Sequence, residues 1–188
     1  MPNQSSNSIR AVALVGHGAA GKTTLAESLL AAAGAITSRG TVEKGNTACD
    51  FDPLEKEVGH SLQSAIVSMQ WSGVTLHLID TPGYPDFAGP AIAALAGVDT
   101  ALIVVNAQTG IELCTERMFQ AAGERGLCRM VVINKIDADN TDLPALVNQI
   151  RDRFGKQCLL LDLPAHHGQE VVELLGHHEG DSDFASVA

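Results

Sequence analysis

Residues Gly16-His17-Gly18-Ala19-Ala20-Gly21-Lys22-Thr23 keep the spacing G-x-x-x-x-G-K-[ST], and Thr24 follows. They stand between an apolar run, Ala11 to Val15, and a run of good helix formers, Leu25 to Leu30, so the order is strand, loop, helix. Glycines in such a loop let consecutive backbone N–H groups point at a phosphate chain, at a helix N-terminus whose dipole already favours anions. In that chemistry Lys22 reaches the β and γ phosphates and the Thr23 hydroxyl holds Mg²⁺. The loop by itself does not say which nucleotide binds or whether anything is hydrolysed.

Two further motifs narrow the chemistry. Asp80-Thr81-Pro82-Gly83 follows a strand-like run. A carboxylate there can act on Mg²⁺ through a water, and the glycine N–H can swing onto a γ-phosphate. Asn134-Lys135-Ile136-Asp137 ends another such run. Guanine presents N1–H and an exocyclic amine side by side, and a fixed carboxylate accepts both, whereas adenine offers an acceptor at N1. Asp137 therefore selects guanine, with Asn134 tethering the loop and the Lys135 stem packing on the base. The expected ligands are GTP or GDP with Mg²⁺.

The elements that must position these groups alternate. Ser64 to Trp71 and Val74 to Asp80 read as an antiparallel hairpin turning at Ser72-Gly73, with His77 solvated or hydrogen-bonded on the face opposite Leu76 and Leu78. Ala101 to Val105 and Met130 to Ile133 are short continuous apolar runs, as central parallel strands are. Helical spacing runs from Ile111 to a stop at Gly126 and again from Leu143 to Phe154, and Cys158 to Leu161 is strand-like. This predicts an α/β, doubly wound, mostly parallel sheet with its ligand beyond the carboxyl ends of the strands. Thr41 to Gly59 is polar and aperiodic, and reads as a mobile nucleotide-sensing loop.

Composition excludes other classes. The 188 residues are 45% hydrophobic with a net charge of −10, and twelve Lys and Arg face twenty-two Asp and Glu, which argues against autonomous nucleic-acid binding. No apolar run approaches the ~18 residues of a membrane span, so a cytoplasmic protein and no membrane partner are expected. Cys49, Cys114, Cys128 and Cys158 lack zinc spacing and read as free thiols. His166, His167, His177 and His178 read as solvated loop residues.

Taken together, Gly16 to Thr24, Asp80 to Phe87 and Asn134 to Asp137 resemble the GTPase domain of translation elongation factor G. Gly45 to Glu55 resembles that factor's first switch loop, and Val105 to Ile111 its sequence after the next strand; the likeness spans about residues 9 to 175. It implies a P-loop GTPase fold, a role on the ribosome through a full-length protein, and a monomer. It also implies Ser61 as a Mg²⁺ ligand beside Thr23 and Asp80, and position 84 as the site that handles the attacking water.

Several positions depart from the family pattern. D-T-P-G-H becomes D-T-P-G-Tyr84, R-G-I-T-I becomes Val58-Gly59-His60-Ser61-Leu62, and an aspartate of the phosphate loop becomes Ala19. A phenol near pKa 10 is no ready base at neutral pH, so with Tyr84 and Lys22 as its catalytic groups the chain is expected to turn over slowly. An elongation-factor-G-like paralogue is expected, or alternatively a GTP-dependent switch, assembly or ribosome-protection module. The expected organisation is a flexible tail over 1–8, a GTPase core over 9–157 lacking its last strand and helix, and the start of an inserted subdomain over 158–188. Weak nucleotide binding by such a piece would follow.

Overall fold

A computed structural model describes residues 5–165 and 170–173. The β-branched and apolar runs form β1 (Ile9–Val15), β2 (Ala65–Trp71), β3 (Val74–Asp80), β4 (Thr100–Asn106) and β5 (Cys128–Asn134). Between them lie α1 (Lys22–Ala32), α2 (Pro53–Val58), α3 (Ala88–Ala94) and α4 (Leu113–Glu124), and α5 (Leu143–Phe154) follows β5. These five strands make one sheet in the order β2-β3-β1-β4-β5. β1 runs parallel to β3 and to β4, and β2 closes one edge antiparallel to β3.

That order bears directly on the site. From β1 the chain builds outward on both sides, so the crevice beyond its carboxyl end is a topological switch point, where open α/β sheets hold ligands. The expected hairpin is present: Ser72 (φ 48°) and Gly73 (φ 81°) both adopt positive φ, the requirement of a type I′ turn. His77 accepts or donates a 2.6 Å hydrogen bond with Ser68 across that hairpin. α1 lies over the sheet through two apolar clusters. Leu14, Ala26, Cys49 and Ala65 form one, and Leu30, Met69 and Leu78 the other. Each large side chain so buried contributes roughly 1.5–3 kcal/mol, which is what fixes α1 behind the loop that follows β1.

The chain divides into two compact units: one up to Val105 together with Glu112–Val132, the other Asn106–Ile111 with the chain from Ile133 onward. In the second, Val147 of α5 packs with Leu163, Ile133, Leu143 and Leu160. There β6 (Asp162–Ala165) pairs antiparallel with β7 (Glu170–Glu173).

Three expectations are corrected. The strand placed at Cys158 to Leu161 lies instead at Asp162–Ala165; Cys158 N–H closes a turn onto Gly155 O, and Leu159 is exposed. α4 begins at Leu113 rather than Ile111, and ends as expected, with Gly126 at φ 67° and Leu127 N–H bonded to Ala122 O. Thr41 to Gly59 is more structured than a mobile loop. It holds a 3₁₀ turn at Val42–Lys44 and α2, whose capping box pairs Asp52 with Leu54 N–H and Glu55 with Asp52 N–H. Within the tail, Ser6–Ser8 form a 3₁₀ turn capped by Ser5. His166, His167, His177 and His178 lie outside the described residues.

Candidate functional site

The loop after β1 depends on its glycines. Gly16 sits at φ 135° with its α-carbon against Val104 of β4, where a Cβ would overlap the Val104 carbonyl. Gly21 sits at φ 94° as the N-cap of α1, and its carbonyl accepts from Leu25 N–H at 2.8 Å. Ala19 takes φ 57° and is exposed, while Ala20 is fully buried. Lys22 starts α1 and is buried; its Nζ donates to Gly16 O (3.1 Å) and His17 O (2.7 Å). Burial pulls its pKa down, and the nearby Asp80 opposes that shift. His17 turns its imidazole toward α4, with Nδ1 at 3.2 Å from Thr115 Oγ1 and Nε2 at 3.2 Å from Glu112. Thr24 is exposed at the second position after Lys22.

The end of β3 brings a carboxylate to the same place. Thr23 donates to Asp80 Oδ2 at 2.6 Å, and its hydroxyl lies 3.4 Å from Ser61 Oγ, so the three residues expected at a cation converge. Asp80 Oδ1 is buried without a hydrogen-bond partner. An orphaned carboxylate oxygen beside two hydroxyls is a donor set that fits a hard cation such as Mg²⁺, which takes oxygen ligands and keeps several waters. Burial raises the Asp80 pKa to about 6, against the pull of Thr23 and Lys22. Thr81 locks the strand end by donating to Leu14 O at 2.7 Å. Gly83 is buried so closely that a Cβ would strike Lys22 Nζ, His17 O and Gly18 N. It is a glycine because the phosphate loop occupies that space.

Tyr84 follows, and its ring lies on Gly18, whose added Cβ would come within 3.0 Å of Tyr84 Cζ. The His60 ring packs on the phenol, centroids 4.6 Å apart and tilted by 54°, and Phe87 stands 6.2 Å from His60.

Sequence reading missed the carboxylates that hold the segment from Gly40 to Gln63. Glu27 of α1, fully buried, accepts from Gly40 N–H (2.8 Å) and Ala48 N–H (2.5 Å). Glu55 accepts from Leu62 and Gln63 N–H, the two residues that follow Ser61. Asp50 accepts from Thr47 (2.8 Å) and from Ser61 (3.0 Å). Each is a charged residue in a polar stretch, and only burial distinguishes it from a solvated one.

In the second unit Asn134, Lys135 and Asp137 share one tight loop. Lys135 takes φ 60°, its carbonyl accepts from Ala138 N–H, and both Lys135 and Asp137 are exposed. The loop is braced by residues after β4: Ala107 N–H bonds to Asn134 O at 2.9 Å and Gln108 Nε2 to Asp139 O at 3.3 Å. Asn106, buried, holds that brace by accepting from Gln108 N–H. Asp142 then caps α5 through Ala145 N–H. Among the described residues no group of three or more His, Cys, Asp and Glu gathers for a metal, and no helix is long and apolar enough to cross a membrane.

Comparison with known proteins places this geometry. The family model for the elongation factor Tu GTP binding domain matches residues 7–181. An elongation factor G-like protein of Mycobacterium tuberculosis is 39% identical over 160 residues, 85% of this chain and 22% of its own. Tetracycline resistance protein TetW of Butyrivibrio fibrisolvens is 38% identical over 162 residues, covering 86% of this chain and 25% of its own. A crystal structure of a Thermus thermophilus protein superposes with a TM-score of 0.82 at 41% identity, over 88% of this chain and 25% of that one. The chain thus spans about a quarter or less of the length of these relatives.

Proposed function

The chain belongs to the elongation factor Tu GTP-binding domain family, and from that premise we propose that it binds GTP and GDP with Mg²⁺ and hydrolyses GTP slowly. The phosphates are held by the backbone N–H groups of Gly16 to Thr24 and by Lys22, and Gly83 N–H reports the γ-phosphate. Thr23, Asp80 and, in the GTP state, Ser61 would hold Mg²⁺, which neutralises charge developing on the phosphate oxygens. Asp137 reads the guanine edge, with Asn134 and Lys135 placing the loop. The observation that carries this reading is the convergence of Thr23, Ser61 and the orphaned Asp80 oxygen beside Lys22.

Within a longer translation factor the domain would work on the ribosome, as the likeness to elongation factor G-like proteins supports. In this reading the core starts at about residue 9, inside the match over residues 7–181, and the chain beyond about residue 158 is proposed to begin an inserted subdomain. Turnover is slow because Tyr84 stands where a histidine would handle the attacking water. A second reading, a GTP-dependent switch, assembly or ribosome-protection module, gains from the same residue, since a switch needs binding more than rate. Titration with a fluorescent GDP, followed by single-turnover GTP hydrolysis with and without ribosomes, tests both. Nucleotide binding that is guanine-specific and magnesium-dependent is the expected result; no binding, or equal binding of ATP, overturns the reading. A Tyr84→His variant that hydrolyses GTP no faster removes the slow-turnover part.

A further inference from the structure

We propose that Glu27 is a positioning residue for the cation site: by closing the loop from Gly40 to Ala48 onto α1 it brings Ser61 to Thr23, and so sets how tightly magnesium is held in the GTP state. The proposal rests on the nucleotide reading above and adds a residue that reading does not use.

α1 presents both groups from one face. Thr23 and Glu27 stand one turn apart on it, so the hydroxyl assigned to the cation and the buried carboxylate share a rigid support. Glu27 divides its oxygens, Oε2 accepting from Gly40 N–H at 2.8 Å and Oε1 from Ala48 N–H. One carboxylate thereby gathers both ends of a loop, which is closed inside by Thr41 N–H on Asn46 Oδ1 (2.9 Å) and by Gly40, where a Cβ would overlap the Asn46 carbonyl. From there the path to the site is short. Cys49 inserts among Leu14, Ala26 and Ala65, and Asp50 accepts from Thr47 at 2.8 Å and from Ser61 at 3.0 Å, which leaves the Ser61 hydroxyl 3.4 Å from Thr23 Oγ1. All of these partners belong to the chain, so the seat of Ser61 does not require a phosphate. A buried carboxylate is stable only while both oxygens are bonded, so Glu27 and the loop hold each other in place.

Cys49 reports that seat. Its thiol is 2% exposed, and burial, with Asp80, Glu27, Asp50 and Glu55 nearby, raises its pKa. The thiolate is the reactive form, so Cys49 is protected while the loop is closed and reacts once it opens. Cys128 is exposed and serves as the unprotected reference, and Cys114 as the buried one.

In the intact chain freed of nucleotide, alkylation at about pH 8 with mass spectrometry of each cysteine peptide is expected to label Cys49 about tenfold or more slower than Cys128. Glu27→Gln keeps the shape but sets an amide NH₂ against one of the two N–H groups, and should speed Cys49 labelling about tenfold with Cys114 unchanged. The same variant should need about tenfold more magnesium to retain a fluorescent non-hydrolysable GTP analogue. Its requirement with GDP, where Ser61 is not a ligand, should stay within about twofold. Gly40→Ala opens the loop from its own side and should reproduce both changes, even where Glu27→Gln fails to fold. Cys49 as reactive as Cys128 in the unaltered protein overturns the proposal. So does protection retained in both variants, or a magnesium requirement that is unchanged or moves equally for the GTP analogue and GDP. If the unaltered protein binds no guanine nucleotide, the nucleotide reading fails and the cation role with it, while Cys49 labelling separately decides whether Glu27 closes the loop.

Discussion

The loop proposed to hold phosphate and the loop proposed to read guanine are built on opposite principles. Around Gly16 to Thr23 the groups are closely confined: two glycines at positive φ, a lysine enclosed by backbone carbonyls, and Gly83 with no room for a Cβ. Asn134 to Asp137 instead exposes its lysine and aspartate, and relies on a brace of main-chain and amide hydrogen bonds from Asn106 to Gln108. Phosphate is common to all nucleotides and can be met by a fixed backbone shape. A base must be chosen, and in the proposed reading that choice rests on one exposed side chain, Asp137, whose chemistry can be exchanged.

The comparison is tested most severely at its rigid end. Gly16→Ala forces a Cβ onto the Val104 carbonyl at a φ that L residues rarely adopt, and it should destabilise the fold by about 3 kcal/mol or more, seen as a lowered denaturation midpoint. Lys22→Ala should leave folding intact and weaken fluorescent-GDP binding by about a hundredfold, since its charge sits at the proposed phosphate site. At the adaptable end, Asp137→Asn should reduce guanine nucleotide affinity about a hundredfold while improving binding of xanthosine diphosphate, whose C2 carbonyl accepts from the new amide. A loss for both nucleotides alike would show that the base loop is as unforgiving as the phosphate loop.

Smaller effects come from the supports. Asp80 holds its proton to about pH 6 in the folded state and releases it near 3.8 when unfolded. The native state therefore binds more protons between these values, so the contribution is complete below about pH 4 and is lost as pH rises through 6. In nucleotide-free, magnesium-free protein, stability should fall by about 3 kcal/mol across that window, and Asp80→Asn should flatten the slope. Magnesium-dependent retention of GDP should rise over the same window, because the ionised carboxylate is the form that meets the cation. The smallest change is expected for Gln108→Ala, about 0.5–1.5 kcal/mol in the brace of the base loop, read as a modest loss of GDP affinity.

Much of this is legible in the residues themselves. The order of β1 to β5 with α1, α4 and α5, the hairpin turn at Ser72-Gly73 and the stop at Gly126 follow from apolar period and turn chemistry, which are local, whereas the short helices α2 and α3 carry too few turns to show such a period. The strand at Asp162–Ala165 does not coincide with the apolar run Cys158 to Leu161, because apolarity alone does not secure pairing. Only a partner, here Glu170–Glu173, decides which four residues are extended. Thr41 to Gly59 looks shapeless in sequence for the converse reason. Its order comes from Glu27, Asp50 and Glu55, carboxylates whose backbone and hydroxyl partners lie up to twenty-one positions away.

The sequence by itself singled out the groups to which the proposed chemistry is assigned: a phosphate cradle at Gly16 to Thr23, a carboxylate at Asp80 and a guanine reader at Asp137, because fixed spacing next to strand ends leaves few other uses for them. Tertiary structure decided how those groups are held. That Asp80 keeps an unpaired oxygen, that Gly18 is a seat for Tyr84, and that His60 packs on the phenol are matters of burial and contact between distant segments, and none of these is encoded in the spacing of neighbours along the chain.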